Sequence, residues 1–204
     1  MTEPAAAGGR LVLASASPRR REILATLGVE FEAVVPAVEE LQGGAVAEEL
    51  VLQNAARKAR AGLSLAGARS GDRVLGVDTE VVLDGEVLGK AATPHEARTR
   101  LQTLSGRTHK VLSGVVVVNV GQDERSGVAR TDVTFATLTE GMIELYVESG
   151  EWRDRAGAYA IQGLGAFLVD RVEGDFSNVV GLPLRLLSSL LPGIIQSPQP
   201  NVYG

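Results

Sequence analysis

Apolar and polar positions alternate along the chain in a way that predicts its elements one after another. Leu11, Val12, Leu13 and Ala14 form an unbroken apolar run of strand length. Ser17 then offers a helix cap and Pro18 the first helical position. Ile23, Leu24 and Leu27 supply the apolar stripe of a helix that ends at Gly28. A second strand is expected over residues 31–35. Residues 45–66 read as an alanine-rich helix with Val51, Leu52, Ala55 and Ala59 on one side. Residues 74–83 read as a strand, and Asp84-Gly85 is a hairpin turn into a short strand over 86–89. Thr93-Pro94-His95-Glu96 combines a capping box with proline at the first position, so a helix runs from there to Leu104 and Gly106 caps its end. Residues 111–120 and 128–138 pair as a hairpin. A short helix follows over 140–149 with Ile143, Tyr146 and Val147 facing inward. Residues 158–161 and 166–172 are further strand candidates, and a leucine-rich helix over 183–191 closes the series. Strands and helices do not alternate cleanly. The expected fold is therefore α/β with a mixed twisted sheet flanked by helices.

With 204 residues, the chain has room for one compact domain with a sizeable core. That domain is expected over residues 10–192, with residues 1–9 and 193–204 as flexible termini. The last stretch, Gln196-Ser197-Pro198-Gln199-Pro200, is polar and proline-rich. No linker, low-complexity tract or repeat interrupts the rest. The net charge of -5 does not advertise a nucleic-acid polymer or a membrane surface as partner, so local clusters of basic residues become the informative ones. Cysteine is absent, which excludes disulfides, thiolate nucleophiles and cysteine-bound zinc. Histidine occurs only at His95 and His109, so any metal is expected to be a hard cation held by carboxylates and phosphates. The start of the chain lacks a basic segment followed by an apolar one, and no apolar run reaches the roughly 18 residues of a membrane span. A cytoplasmic protein is expected.

Several positions break the local rules, and such positions tend to be functional. In Ser15-Ala16-Ser17-Pro18-Arg19-Arg20-Arg21, three arginines crowd the first turn of a helix. There the helix dipole disfavours each cation by about 0.3–1 kcal/mol, and a bound anion would reverse the sign. Free backbone N–H groups, hydroxyls and guanidinium forks together suit a phosphate; a solvated basic patch is the alternative. Asp78 sits in the middle of an apolar strand, where a carboxylate is costly unless it is paired or binds a metal. Glu80 shares its face if the strand is regular, and an edge strand with one wet face is the competing explanation. Lys58 flanks the apolar side of the second helix, Lys90 follows the hairpin, and Glu39-Glu40 is an acidic pair in a loop. Glycines surround Gln162 in Gly157-Ala158-Tyr159-Ala160-Ile161-Gln162-Gly163-Leu164-Gly165. They fit either close approach to something flat or a tight turn. His109 follows a helix end and reads as structural.

Three familiar signatures are missing: the G-x-x-x-x-G-K-[ST] P-loop, a G-x-G-x-x-G after a strand, and the G-x-S-x-G elbow. A kinase-like NTPase, a nicotinamide dehydrogenase and a serine esterase are disfavoured.

What the chain does contain, in order, resembles the Maf family of nucleoside triphosphate pyrophosphatases. The matching pieces are L-A-S-x-S-P-R-R at 13–20, E-E at 39–40, K-A at 58–59, G-x-D-T at 76–79, G-K at 89–90 and L-S-G-x-x-H at 104–109. They continue with T-x-V-T-F from Thr131, A-G-A-Y-x-I-Q-G at 156–163 and V-V-G-L-P at 179–183. Each piece is weak alone; the ordered set is specific and covers about residues 11–190.

The resemblance implies a mixed α/β fold with a deep substrate cleft, commonly in a homodimer. It implies hydrolysis of a nucleoside triphosphate to the monophosphate and pyrophosphate with a divalent cation such as magnesium or manganese. It makes Asp78 the proton acceptor, Arg20, Lys58 and Lys90 the phosphate-facing cations, and Glu40 an acid near the metal, which Asp78 would share. Ser15 and Ser17 join the substrate-binding cluster. Arg19, Thr79 and Gln162 match the positions that separate the subfamilies, and these residue types look like the dTTP/UTP branch. Gln162 carries both a donor and an acceptor, which suits the imide edge of uracil or thymine. A nucleotide-binding regulator of septum formation with little catalysis is the alternative, and a hydrolase of modified nucleotides is the nearest enzymatic rival. The chain departs from the family pattern at Ala91, where proline is usual, at Arg155, where lysine is usual, and at Ala160, where glycine is usual. Trp152 beside that region is also unusual.

Overall fold

The computed structural model describes residues 9–42 and 46–195. The expected flexible termini lie outside the described residues, apart from Gly9 and residues 193–195.

The first strand, β1 (Leu11–Ala14), is buried along its whole length. It pairs in parallel with β2 (Glu32–Val34) on one side and with β3 (Arg73–Leu83) on the other. Helix α1 (Pro18–Thr26) makes the first crossover and α2 (Ala47–Leu65) the second, as parallel neighbours require. The rest of the sheet is antiparallel. β3 turns through Asp84-Gly85 into β4 (Glu86–Val87) and also pairs with β5 (Thr108–Asn119). The turn residues have φ of 51° and 87°, the left-handed geometry of a two-residue hairpin. β5 pairs with β6 (Glu124–Phe135), and β6 with β7 (Val169–Glu173). The mixed sheet has seven strands in the order β2-β1-β3-β5-β6-β7, with β4 on β3.

Alternation along β3 decides which residues meet which helices. Val74, Gly76, Asp78, Glu80 and Val82 share one face, and Leu75, Val77, Thr79, Val81 and Leu83 the other. Helix α2 lies on the first face, and two glycines let its backbone come close. A Cβ on Gly76 would sit 2.1 Å from the Ala55 carbonyl oxygen, and one on Gly114 would sit 2.3 Å from that of Val51. Ala55 and Ala59 complete the contact. This approach brings Asn54 and Lys58 of α2 to Asp78. On the opposite face, Leu24 of α1 packs with Leu13, Leu75, Val77 and Leu187 of the closing helix α6 (Leu184–Leu190). An aromatic-rich cluster holds α3 (Pro94–Leu104) and α4 (Glu140–Ser149) around Phe135, Tyr146, Trp152 and Tyr159.

Some expectations need correction. Residues 158–161 form no strand: Gly157 and Ala158 have φ of 66° and 59°, which an extended chain cannot adopt. The only pairing nearby is an isolated bridge between Lys90 and Ala156. Residues 166–168 belong to a 3₁₀ turn, Gly163–Leu168, and β7 begins only after it. A five-residue helix, α5 (Phe176–Val180), stands where none was expected, with Asp175 accepting from the Ser177 N–H at its start. No helix among the described residues is long and apolar enough to cross a membrane.

Candidate functional site

β1 ends at Ala14, opposite Gly76, while β3 runs on to Leu83. Between that point and the β4 pairing at Val82, residues 77–81 of β3 therefore present an edge that no strand covers. A cavity of about 1080 Å³ opens along that edge, beyond the carboxyl end of β1. Open α/β sheets characteristically bind ligands at such a place.

Asp78 lies in the cavity wall and is 3% exposed. Its Oδ1 accepts from Lys58 Nζ at 2.6 Å, and its Oδ2 accepts from Asn54 Nδ2 at 3.2 Å. The same ammonium donates to Glu40 Oε1 at 2.5 Å, and Lys90 Nζ stands 3.7 Å from Glu40 Oε2. Burial alone would raise the Glu40 carboxyl. The Lys58 hydrogen bond and the charges of Lys58, Lys90 and Arg20 outweigh it and hold Glu40 below the usual range.

Asn54 does more than touch Asp78. It accepts from the Leu41 N–H at 2.8 Å and donates to the Leu41 carbonyl at 3.2 Å. It thereby ties the loop that carries Glu40 to the strand that carries Asp78. The sequence reading missed it, although a polar residue among Val51, Ala55 and Ala59 on a buried helix stripe is a legible signal.

Glu80 also lines the cavity, on the Asp78 face, and its buried Oε2 has no hydrogen-bond partner. Burial, followed by the charges of Asp78 and Glu40, pushes its carboxyl up to about 7 against the partial relief given by Lys90 and Lys58. A carboxylate oxygen without a donor, in a wall that also holds Asp78 and Glu40, suits a hard cation. Among the described residues no three acidic or histidine side chains converge tightly enough to hold one by themselves. Two carboxylates completed by phosphate oxygens and water fit the way magnesium is usually held.

Arg20 lines the cavity as well. It is 8% exposed and its side chain is already committed within the protein. Nε donates to the Gly181 carbonyl at 2.8 Å, Nη1 to Ser15 Oγ at 3.0 Å and to the Val77 carbonyl at 2.9 Å, and Nη2 to Thr79 Oγ1 at 3.0 Å. Four of five donors hold the β3 edge, β1 and α5 together, and one N–H is left for a ligand. Thr79 in turn shares a 2.8 Å hydrogen bond with Ser113 of β5. Ser17 makes no side-chain cap on α1; the Ser15 hydroxyl instead accepts the Ser17 N–H at 3.2 Å.

Ser15, Ser17, Arg19, Arg20, Glu40, Lys58, Asp78, Thr79 and Lys90 thus border one cavity. Gln162 does not. It is exposed, precedes the 3₁₀ turn, and is absent from the cavity wall. Glu151 accepts the Leu164 and Gly165 N–H groups at 3.1 and 3.2 Å and fixes that segment. His109 is buried beneath the site. Its Nε2 is 2.8 Å from Tyr159 Oη, and its ring meets those of Phe135 and Tyr159 edge-on. Burial pulls its pKa down to about 4, which favours the neutral imidazole near pH 7.

The model of the Maf-like protein family matches residues 10–194. A dTTP/UTP pyrophosphatase of Deinococcus radiodurans is 46% identical over 190 residues, covering 93% of this chain and 95% of that protein. One from Moorella thermoacetica is 50% identical over 188 residues, covering 89% and 93%. The structure of a HAM1 protein from Coxiella burnetii superposes with a TM-score of 0.51 at 18% identity, over 90% of this chain and 98% of that one, and shows the same fold. With a family model matching nearly every described residue and relatives near half identity over most of their length, the chain belongs to the Maf-like protein family.

Proposed function

We propose that this chain, with residues 10–192 as the catalytic unit, hydrolyses dTTP and UTP to the monophosphate and pyrophosphate. The observation that carries the reading is the setting of Asp78: a buried carboxylate in a cavity whose other charged side chains are mostly cations. A triphosphate carries about four negative charges; six Lys and Arg side chains line the cavity against five acids, so a divalent cation is needed beside them to offset those charges. Lys58, Lys90, Arg19 and the remaining N–H of Arg20 face the phosphates, with Ser15 and Ser17 at the mouth of α1.

A water molecule attacks the α-phosphorus, and Asp78 accepts its proton. The bond from the α-phosphorus to the bridging oxygen breaks, and pyrophosphate leaves with that oxygen. Lys58 passes from Asp78 to a phosphate oxygen as the nucleotide enters, which frees the carboxylate for the proton. Arg20 keeps the β3 edge rigid so that Asp78 stays aligned. A divalent cation held by Glu40 and Asp78, with Glu80 alongside, supplies charge neutralisation on the phosphates. Arg19 and Thr79 are the cavity positions at which the family resemblance places nucleotide discrimination; Gln162 enters only if its segment turns inward. The same resemblance points to a homodimer, and the sequence itself to a cytoplasmic location.

The test is a panel of nucleotides with magnesium or manganese, followed by inorganic pyrophosphatase and phosphate detection. UTP and dTTP are expected to lead it, with the monophosphate as co-product. No release from any nucleotide would leave a regulator of septum formation as the better reading. Light scattering on the purified protein reports the dimer.

A further inference from the structure

Arg19 and Arg155 come from distant parts of the chain, the first turn of α1 and the loop after α4, yet both border the same cavity. Each has a buried Nε without a hydrogen-bond partner. Neither forms an ion pair or a side-chain hydrogen bond among the described residues. Arg20, by contrast, is held by four protein oxygens. The acids near Arg155 do not neutralise the pair: Asp154 is exposed, and Glu151 accepts backbone N–H groups of the 3₁₀ turn. Their mutual cost is visible on Arg19, whose guanidinium is pulled down to about 10, first by burial and then by the charges of Arg155 and Arg20.

Charge is distributed unevenly across the cavity. Around Asp78, the cations Lys58 and Lys90 face the anions Glu40 and Asp78, with Glu80 on the same wall, so no cation on that side lacks an acid. The Arg19–Arg155 side holds two cations, and Asp154, the acid that lines the cavity there, is exposed and forms no ion pair with either. Two half-buried guanidiniums kept together without a counter-charge are complementary to an anion rich in oxygens. The bridge between Lys90 and Ala156 keeps Arg155 next to the Asp78 side, so one extended polyanion spans both.

We propose that Arg19 and Arg155 form a clamp for the β- and γ-phosphates, the part of the nucleotide that departs as pyrophosphate. The proposal rests on the reading of the cavity as a triphosphate site and gives Arg19, which faces the phosphates in that reading, Arg155 as its partner. The α-phosphate stays beside Asp78, where water attacks. The clamp carries the charge that builds on the leaving group, and it binds free pyrophosphate as product.

Titration calorimetry with inorganic pyrophosphate, and separately with UMP, tests it on the full chain and on Arg155→Met, Arg155→Lys and Arg19→Met. Arg155→Met is expected to weaken pyrophosphate at least about tenfold, the scale of one charge-assisted hydrogen-bond set. UMP, which lacks the β- and γ-phosphates, is expected to change less than about twofold. Without ligand, the melting temperature of Arg155→Met stays level or rises, because one of two like charges is gone; a purely structural arginine would lower it. If Arg155→Met does not fold, Arg155→Lys and Arg19→Met decide by the same ratio of pyrophosphate to UMP affinity. Unchanged pyrophosphate binding with UTP hydrolysis intact overturns the clamp alone. A full chain that binds neither UTP nor pyrophosphate overturns the triphosphate reading and the clamp with it.

Discussion

Lys58 Nζ lies 2.6 Å from Asp78 Oδ1 and 2.5 Å from Glu40 Oε1, so one ammonium spans the two carboxylates proposed to hold the cation. In metal-free protein it plays the cation's electrostatic part. Lys58→Met leaves two acids facing each other. A fully buried pair broken in this way costs about 3–5 kcal/mol, and about 2–4 is expected here because the Glu40 side chain is 34% exposed. Urea unfolding in EDTA measures this. Added magnesium or manganese is expected to restore more stability to the variant than it adds to the wild type. Equal gains would remove Glu40 and Asp78 as the metal pair.

Asp78→Asn keeps the shape of the side chain but cannot take a proton from water. Turnover is expected to fall by about 10²–10⁴, the usual worth of a positioned general base. Nucleotide affinity measured without divalent metal is expected to hold within a few fold, since Lys90, Arg19 and Arg155 are untouched. Equilibrium binding of UTP beside steady-state kinetics separates the two. Lost binding in a folded variant would make Asp78 a binding residue.

Asn54→Leu removes three hydrogen bonds and leaves the Leu41 N–H and carbonyl without partners. Loss of about 1–3 kcal/mol is expected. The loop carrying Glu40 loses its tie to β3, so protease cuts within residues 36–42 should quicken and kcat/KM should drop more than stability explains. Unaltered cleavage would mean that Asn54 serves the core alone.

Much of the scaffold was legible because its signals are local. Thr93, Pro94 and Glu96 mark the start of α3 within four residues, and Asp84-Gly85 sets its turn by backbone preference. Asp78 was legible as a carboxylate in an apolar strand. What was not legible depends on distant partners. The 158–161 run looks extended, but Gly157 packs against Val81, where a Cβ would sit at 2.9 Å, and the chain bends there with positive φ. Nothing in Ser15–Arg21 reveals that Val77, Thr79 and Gly181 will take up most of the Arg20 donors. Gln162 matches a motif, yet the turn that follows it is held by Glu151, which lies 11 residues earlier in the chain than Gln162.

Glu80 and His109 pull the pH dependence of stability in opposite directions over nearly the same window. Glu80 sits at about 7 in the fold against 4.5 for the free group, so the native protein holds an extra proton between those values. Stability from this group therefore falls as pH rises from 4.5 to 7. His109 sits at about 4 against 6.5, so there the unfolded chain holds the extra proton and stability rises with pH across 4 to 6.5. Each contributes on the order of 1–3 kcal/mol. The wild type in EDTA should consequently be nearly flat between pH 4.5 and 7 as far as these two groups decide it. Glu80→Gln is expected to match the wild type near pH 4 and exceed it at pH 8, with a curve that climbs through the window. His109→Gln is expected to start lower, because Phe135 and Tyr159 lose their packing partner, and to decline as pH rises. Urea unfolding at half-unit pH steps resolves the slopes. Parallel curves for all three proteins would mean that neither group carries its burial into the stability of the fold.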